Sequence, residues 1–337
     1  MERTKNILTG DRPTGSLHIG HYAGSLENRV KLQDEYKCFF IIADFQVLTD
    51  HLSETKRISE NIKEIAIDYL SVGINPQKSS IFIQSLIPEI TELAMYFSML
   101  VSVPRLQRNP TVKEEMRVAK IGKKELSLGF LSYPVSQAAD ILSVRASLVP
   151  VGQDQLPHME QTKEIARSFN RFFGETFPVP EALLSNFPRL PGIDGQKMSK
   201  SRKNAIYLKD SSVDVARKVM QSYTDPLRIH ATDPGHTRGN VVFSYLDAFY
   251  QDKKELRELK NKYRKGKIGD VALKKILIET LNIFLEPIRQ KRKEFESNPK
   301  LIKEILEIGT EEARKEAKQT LSFVKDAMGF NFTRIFK

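Results

Sequence analysis

The 337-residue chain predicts an α/β fold, a Rossmann-like doubly wound parallel sheet followed by a second, all-α helical domain. Three observations carry this. Short β-like runs alternate with longer helical patterns through the first half, as βαβ units do. Runs such as Cys38-Phe39-Phe40-Ile41-Ile42 are apolar without alternation, which suits strands buried on both faces. Beyond Tyr207 the strand-like runs stop, and charged sequence of helical period takes over.

The strands expected are Asn6–Gly10, Lys37–Asp44, Ser80–Ser85 and Ser147–Gly152. Between and after them, helices are expected at about 18–35, 53–72, 89–101, 134–145 and 155–169. In the second of these Ile58, Ile62, Ile65, Ala66, Tyr69 and Leu70 recur at spacings of three and four, one helix face. Residues 104–126 interrupt the pattern with polar residues and paired prolines, an excursion from the sheet suited to partner contacts. Residues 174–204, rich in Pro and Gly, read as a second irregular region. Further helices are expected at about 211–222, 242–249, 252–264, 270–296, 299–307 and 311–328. The expected organisation is a catalytic domain over 1–205, a helical domain over 206–296, and C-terminal helices over 297–337 that pack back on the first domain. At roughly 100–200 residues per domain the length agrees.

Composition excludes several classes. The longest apolar run, Cys38–Ala43, has six residues, against about 18 for a membrane helix. The N-terminus mixes charges and runs straight into Ile7-Leu8, without an apolar signal core, so a cytoplasmic location is expected. The single cysteine, Cys38, reads as a buried apolar side chain in a reducing compartment, and with six scattered histidines no structural metal site is expected. The net charge is +11, and residues 251–337 hold 22 Lys+Arg against 14 Asp+Glu, a local +8. Such an excess suits either a solvated helical face or a polyanionic partner.

Two motifs carry chemistry. The first βα junction reads Gly10-Asp11-Arg12-Pro13-Thr14-Gly15-Ser16-Leu17-His18-Ile19-Gly20-His21. A strand that ends in glycines before a helix N-terminus is where an open α/β sheet binds phosphate. Gly10 and Gly15 have Walker A spacing, but Ser16-Leu17 stands where Lys-Ser/Thr is required. His18 and His21 lie on one helix face, able to donate to phosphate oxygens, with Gly20 leaving room for close approach. The second motif, Lys197-Met198-Ser199-Lys200-Ser201, follows Gly192 and Gly195 and offers point charges and hydroxyl donors to a departing pyrophosphate. A chance His-x-x-His or a solvated Lys-Ser loop would account for either motif alone.

Together, in this order and about 180 residues apart, the two motifs resemble the signatures of class I aminoacyl-tRNA synthetases. Tyr133-Pro134-Val135-Ser136-Gln137-Ala138-Ala139-Asp140-Ile141-Leu142 and Val149-Pro150-Val151-Gly152-Gln153-Asp154-Gln155 extend the likeness to bacterial-type tryptophanyl-tRNA synthetases over nearly the whole chain. The resemblance implies ATP-dependent activation of L-tryptophan and its transfer to tRNA(Trp), with ATP entering as its Mg2+ complex and the enzyme a homodimer. It implies that His18, His21, Lys197 and Lys200 are catalytic. It implies an ATP site of Arg12, Pro13, Thr14, Gly20, His21, Gly152, Gln153, Asp154, Leu190, Lys197, Met198, Ser199, Lys200 and Ser201. Tyr133, Gln137, Asp140 and Gln155 then bind tryptophan: Asp140 takes the indole N–H, and Tyr133 and Gln155 hold the α-amino group. The chemistry agrees, since indole has a single polar group, a donor. A substrate such as Phe would strand a buried acceptor at about 1–3 kcal/mol.

The chain departs from the family pattern at Gln137, where many members carry Met, at Gln46, where His is frequent, and at Arg12, often Gln; these mark a subgroup with a more polar pocket rim. The basic C-terminal quarter suits tRNA phosphates, with Arg289 to Lys293 as a candidate patch. The alternatives are a tyrosyl-tRNA synthetase, which would need partners for a phenol hydroxyl, and a synthetase-like paralogue that binds RNA without catalysis, against which the intact His18, His21, Lys197 and Lys200 argue. The chain contains no tryptophan.

Overall fold

The computed structural model describes residues 5–49, 52–118, 126–184, 190–200, 202–225, 228, 230 and 232–330. Ser201, and parts of the two irregular regions (119–125 and 185–189), lie outside the described residues.

Five parallel strands form one sheet in the order β3-β2-β1-β4-β5: β1 (Asn6–Asp11), β2 (Lys37–Ile42), β3 (Ser79–Ile83), β4 (Leu148–Val151) and β5 (Glu181–Leu184). Side chains alternate between two cores. Ile7, Cys38, Phe40, Ile42 and Ile81 face one, and Leu8, Phe39, Ile41 and Phe82 the other. The chain order reverses between β1 and β4, so the crevice at their C-terminal ends is the switch point of a doubly wound sheet.

After β1, α1 (Ile19–His21) passes through a π-helical turn, Tyr22–Leu26, into α2 (Glu27–Leu32). The helices α3 (Asp44–Val47), α4 (Ile58–Ser71) and α5 (Pro88–Ser98) follow β2 and β3. The 104–126 excursion holds two short helices, α6 (Val103–Gln107) and α7 (Pro110–Val118). Next come α8 (Leu128–Ser143) and α9 (Leu156–Phe173), on either side of β4, and after β5 the chain builds α10 (Ser212–Met220), α11 (Val241–Phe249), α12 (Lys253–Arg264), α13 (Asp270–Glu296) and α14 (Pro299–Ala327). No helix among the described residues is long and apolar enough to cross a membrane.

Three expectations are corrected. Helix α8 starts at Leu128 rather than Pro134, because Ser127 caps it by accepting from the Phe130 N–H at 3.1 Å. The 174–204 region holds β5, whose four residues pair with β4. The segments 299–307 and 311–328 are one helix, continuous through Gly309-Thr310.

That continuity comes from packing. Helix α14 lies along the edge strand β3, where Thr310 Oγ1 accepts from the Ile83 N–H at 3.3 Å and Ser80 Oγ donates to Glu312 at 2.7 Å. A Cβ on Gly309 would come within 2.2 Å of the Ile81 carbonyl oxygen. Gly309 is therefore the point at which helix and strand backbones touch. Gly309→Ala is expected to destabilise the protein by about 1–2 kcal/mol, since forced displacement of backbone outweighs the gain in helix propensity of about 1 kcal/mol. Urea unfolding measures this, and an unchanged or raised midpoint would refute it.

Candidate active site

The switch-point crevice opens into a cavity of about 670 Å³. It collects Arg12, Thr14, His18, Gly20 and His21 from the first junction, Gly152, Gln153, Asp154 and Gln155 from the end of β4, and Tyr133, Gln137 and Asp140 from α8. Leu190, Lys197, Met198 and Lys200 close it from the signature loop. Pro13 is buried, and neither it nor Ser199 lines the cavity.

The first motif is joined by backbone to the chain just beyond the second. Ile19 N–H donates to the Ile206 carbonyl at 3.0 Å and Leu208 N–H to the Leu17 carbonyl at 3.0 Å, with His18 bridged to Tyr207 between them. The His18 and His21 rings are 3.7 Å apart between centroids, and the His18 N–H donates to His21 Nδ1 at 3.1 Å. His21 thus accepts at Nδ1 and carries its proton on Nε2. Burial, with repulsion from His21 and Lys200, lowers the His18 pKa to about 2; burial lowers that of His21 to about 4 against the pull of Asp11. Both rings are neutral donors near pH 7. A Cβ on Gly20 would lie 2.9 Å from the His18 ring and 3.0 Å from Met198 Sδ, so the bare glycine lets the two motifs touch.

Lys200 Nζ reaches back to the first junction, donating to the Gly15 carbonyl at 2.5 Å and Thr14 Oγ1 at 3.3 Å. Burial lowers its pKa to about 8, with Asp11 and Asp68 acting in the opposite sense. Buried Asn204 staples the signature loop. Its Oδ1 accepts from Ser199 N–H at 2.8 Å, and its Nδ2 donates to the Lys197 carbonyl at 3.1 Å and to Asp194 at 2.8 Å.

Two buried ion clusters support the first junction from beneath. Asp11, at the end of β1, accepts from Arg29 and from the Tyr69 hydroxyl, each at 2.7 Å. Burial would raise its pKa, yet Arg29, His21 and Tyr69 hold it well below the usual carboxylate range. Asp68 accepts from the Leu17 N–H at 2.7 Å and pairs with Arg292 of α13, which also meets Glu64 at 3.1 Å. Arg292 is therefore internal, and Arg289 donates to the Asp210 carbonyl at 2.8 Å. Of the cations in the expected phosphate patch at Arg289 to Lys293, only Lys291 and Lys293 are exposed, because its arginines are drawn inward by carboxylates and carbonyls distant in sequence.

Asp140, also lining the cavity and nearly fully buried, accepts from Gln84 Nε2 at 2.7 Å and Gln46 Nε2 at 2.9 Å. The Phe45 N–H donates to Gln84 Oε1 at 3.1 Å, which fixes that amide with its donor toward Asp140. Burial pushes the Asp140 carboxyl up to about 8 against these two hydrogen bonds. Gln46, marked in the sequence only as a departure, is thus a partner of Asp140. Gln84 had a legible signal, a polar residue just past the C-terminal end of a buried strand.

Elsewhere in the cavity lining the Tyr133 hydroxyl lies 2.7 Å from Glu115 Oε2 and 3.0 Å from His158 Nε2, while Gln137 Nε2 donates to Gln155 Oε1 at 3.2 Å. Glu115 and His158, both lining the cavity, were missed because their partners are distant in sequence.

Comparison with known proteins follows this geometry. The family model described as tRNA synthetases class I (W and Y) matches residues 1–286. Curated tryptophan–tRNA ligases of Treponema pallidum (strain Nichols) and Clostridium longisporum are 50% and 51% identical, over 96% and 98% of this chain and 97% and 98% of theirs. A crystal structure of tryptophanyl-tRNA synthetase from Campylobacter jejuni, complexed with ADP and tryptophan, superposes with a TM-score of 0.83 at 34% identity, covering 96% of this chain and 99% of that one.

Asp140→Asn would turn an amide N–H2 toward the donors of Gln46 and Gln84. L-tryptophan affinity is expected to fall at least about tenfold with ATP affinity unchanged. Calorimetry of each ligand checks this, and unaltered tryptophan affinity would remove Asp140 from the pocket floor.

Proposed function

The chain belongs to the class I tRNA synthetases of the tryptophan and tyrosine family, and from that premise we infer how its residues work. It activates L-tryptophan with ATP and transfers it to tRNA(Trp), as its half-identical full-length relatives are named for doing. The observation that carries the assignment of roles is one cavity lined both by residues of the two signature motifs and by the buried Asp140.

In the first step a tryptophan carboxylate oxygen attacks the α-phosphorus of ATP in line; the new O–P bond forms as the bond to pyrophosphate breaks. Positioning and electrostatics suffice, with no covalent enzyme intermediate. We assign His21 Nε2–H and the His18 ring to the phosphates as neutral donors. Lys197 and Lys200 stabilise the leaving pyrophosphate, sharing its charge with the Mg2+ that accompanies ATP. Arg12, Thr14, Gly20, Gly152, Gln153 and Asp154 cradle the nucleotide, with Pro13, Leu190, Met198, Ser199 and Ser201 in the adjoining stretches. Asp140, held by Gln46 and Gln84, takes the indole N–H. Tyr133, Gln137 and Gln155 serve the amino-acid end.

The proposal extends to partners. Residues 206–296 form the tRNA-facing helical module. The exposed Lys253, Lys254, Arg257, Lys262, Arg264 and Lys265 on and just after α12 support that reading better than the Arg289 to Lys293 stretch. A homodimer is supported by the exposed Leu86, Met95, Met99 and Val103 on and beside α5. ATP and tRNA as substrates support residence in the cytoplasm.

The test is amino-acid-dependent exchange of pyrophosphate into ATP across the twenty amino acids, expected for tryptophan alone. Exchange with tyrosine, or with none, would overturn the reading. A second expectation follows from the lowered Lys200 pKa. Its charge is present below about pH 8 and lost above it, so kcat/KM for ATP should fall as pH rises through about 8. Lys200→Arg, charged throughout, should hold its plateau beyond that pH. A limb at the same pH in Lys200→Arg would assign it to another group.

A further inference from the structure

We propose that Asp68, paired with Arg292 of α13, is a positioning residue for the activation step: it fixes the backbone from which His18 and His21 reach the phosphates. The inference rests on the tryptophan-activating reading above.

Leu17, fully buried, directly precedes His18, and both its backbone groups are tied. Its N–H donates to Asp68 Oδ2 at 2.7 Å, and its carbonyl accepts from the Leu208 N–H at 3.0 Å. Before it, the Ser16 hydroxyl donates to Glu64 Oε2 at 2.8 Å; after it, the Ile19 N–H donates to the Ile206 carbonyl at 3.0 Å. The main chain entering His18 is thus held by side chains of α4, and the chain leaving it by backbone beyond the signature loop. Asp68 and Glu64 lie one turn apart on α4, and Arg292 meets both. Its Nη1 donates to Asp68 Oδ1, and its Nη2 lies 3.1 Å from Glu64 and 2.8 Å from Glu296. Lys209, next to Leu208, donates to the same Glu64 oxygen at 3.0 Å.

A buried amide needs an acceptor, and a hydroxyl, a carbonyl or a side-chain amide would serve. A carboxylate with no exposed surface is the costly choice, because it must be desolvated and given a cation. Here the cation comes from a residue 224 positions further along the chain. What the charge adds is a shorter, stronger bond to the Leu17 amide than a neutral acceptor makes, and a field. That field reaches the second motif. Asp68 favours the charged form of Lys200, whose Nζ donates to the carbonyl of Gly15, two residues before Leu17. One buried anion therefore acts on the first motif through the backbone and on the second through space.

Burial pushes the Asp68 pKa up to about 6, against Arg292 and the Leu17 amide, which lower it. The charged groups around it are Glu64 on its own helix, Arg292 and Glu296 on α13, Lys209 beyond the signature loop and Lys200 within it. Its charge is present above about pH 6 and lost below.

Asp68→Asn keeps the shape and an acceptor for Leu17 and removes the charge. Tryptophan-dependent pyrophosphate exchange at saturating substrates reads kcat across pH, beside calorimetric tryptophan binding. At about pH 7 the variant's kcat is expected about 10- to 100-fold below wild type, with tryptophan affinity within about twofold. Towards about pH 5, where wild-type Asp68 is itself protonated, the two rates converge to within about threefold. Titrations of the nucleotide are common to both and cancel in the ratio. A merely structural loss gives a ratio that does not change with pH, and that result overturns the proposal. An unchanged kcat, or a matching fall in tryptophan affinity, does so too. Arg292 supplies a test that does not require Asp68→Asn to fold. Arg292→Lys, which keeps the charge, is expected to hold the acid limb of kcat near that of wild type, and Arg292→Gln to move it at least about one pH unit higher, as Asp68 loses its cation. Coincident limbs in these two variants overturn the proposal. Wild-type protein without tryptophan-dependent exchange overturns the tryptophan reading and this inference with it. Wild-type exchange with a pH-independent ratio overturns this inference alone.

Discussion

The backbone pairing of Leu17–Ile19 with Ile206–Leu208 is the constraint on which the rest of the site depends. Neither stretch belongs to a strand of the sheet, yet this short antiparallel contact fixes the histidine junction against the chain leaving the signature loop. Once it is made, Gly20 can sit beneath Met198, and Lys200 can reach the carbonyl of Gly15. The leverage is topological, because the paired segments are almost the whole catalytic half of the chain apart. A contact of that separation is costly to close in loop entropy. It needs help, and Asp68 on the Leu17 amide and Asn204 across the loop supply it with buried, satisfied hydrogen bonds.

Electrostatically the site divides labour by burial. Asp68 with Arg292 is paired beneath the junction, outside the cavity lining, while Asp11 with Arg29 is paired at the cavity wall. The groups we assign to the phosphates are kept less charged than their types suggest, with both histidines neutral and Lys200 poised near pH 8. Donors already oriented need little rearrangement as charge develops on the phosphates.

Much of this was legible in the sequence, for identifiable reasons. The doubly buried β2 announces itself as an unbroken apolar run, and the histidine and lysine motifs carry their chemistry in adjacent residues. Asp140 could be read as buried because alanines, isoleucine and leucine surround it. What escaped depends on partners that local pattern does not reveal. Arg292 looks like one more cation on a basic helix until Asp68, distant in sequence, is found beside it. Glu115 looks like part of a solvated charge run until the Tyr133 hydroxyl is found beside it. The unbroken α14 escaped because Gly309 is a poor helix former whose cost is offset only by contact with Ile81. Strand β5 escaped because its residues are half-exposed and few, with no alternation to mark them.

The way α14 lies on β3 has a further consequence for how copies of this protein behave together. An open parallel sheet has two free margins, and an exposed row of backbone groups invites another chain to add a strand. Here one margin is occupied by a helix of the same molecule that takes up the Ile83 amide, and the other ends in the four-residue β5. A folded copy therefore offers a partly unfolded neighbour little to template upon. Because the sealing helix comes far after β3 in the chain, this margin stays open during synthesis until that helix has emerged, and in that interval the growing chain is most exposed to aggregation.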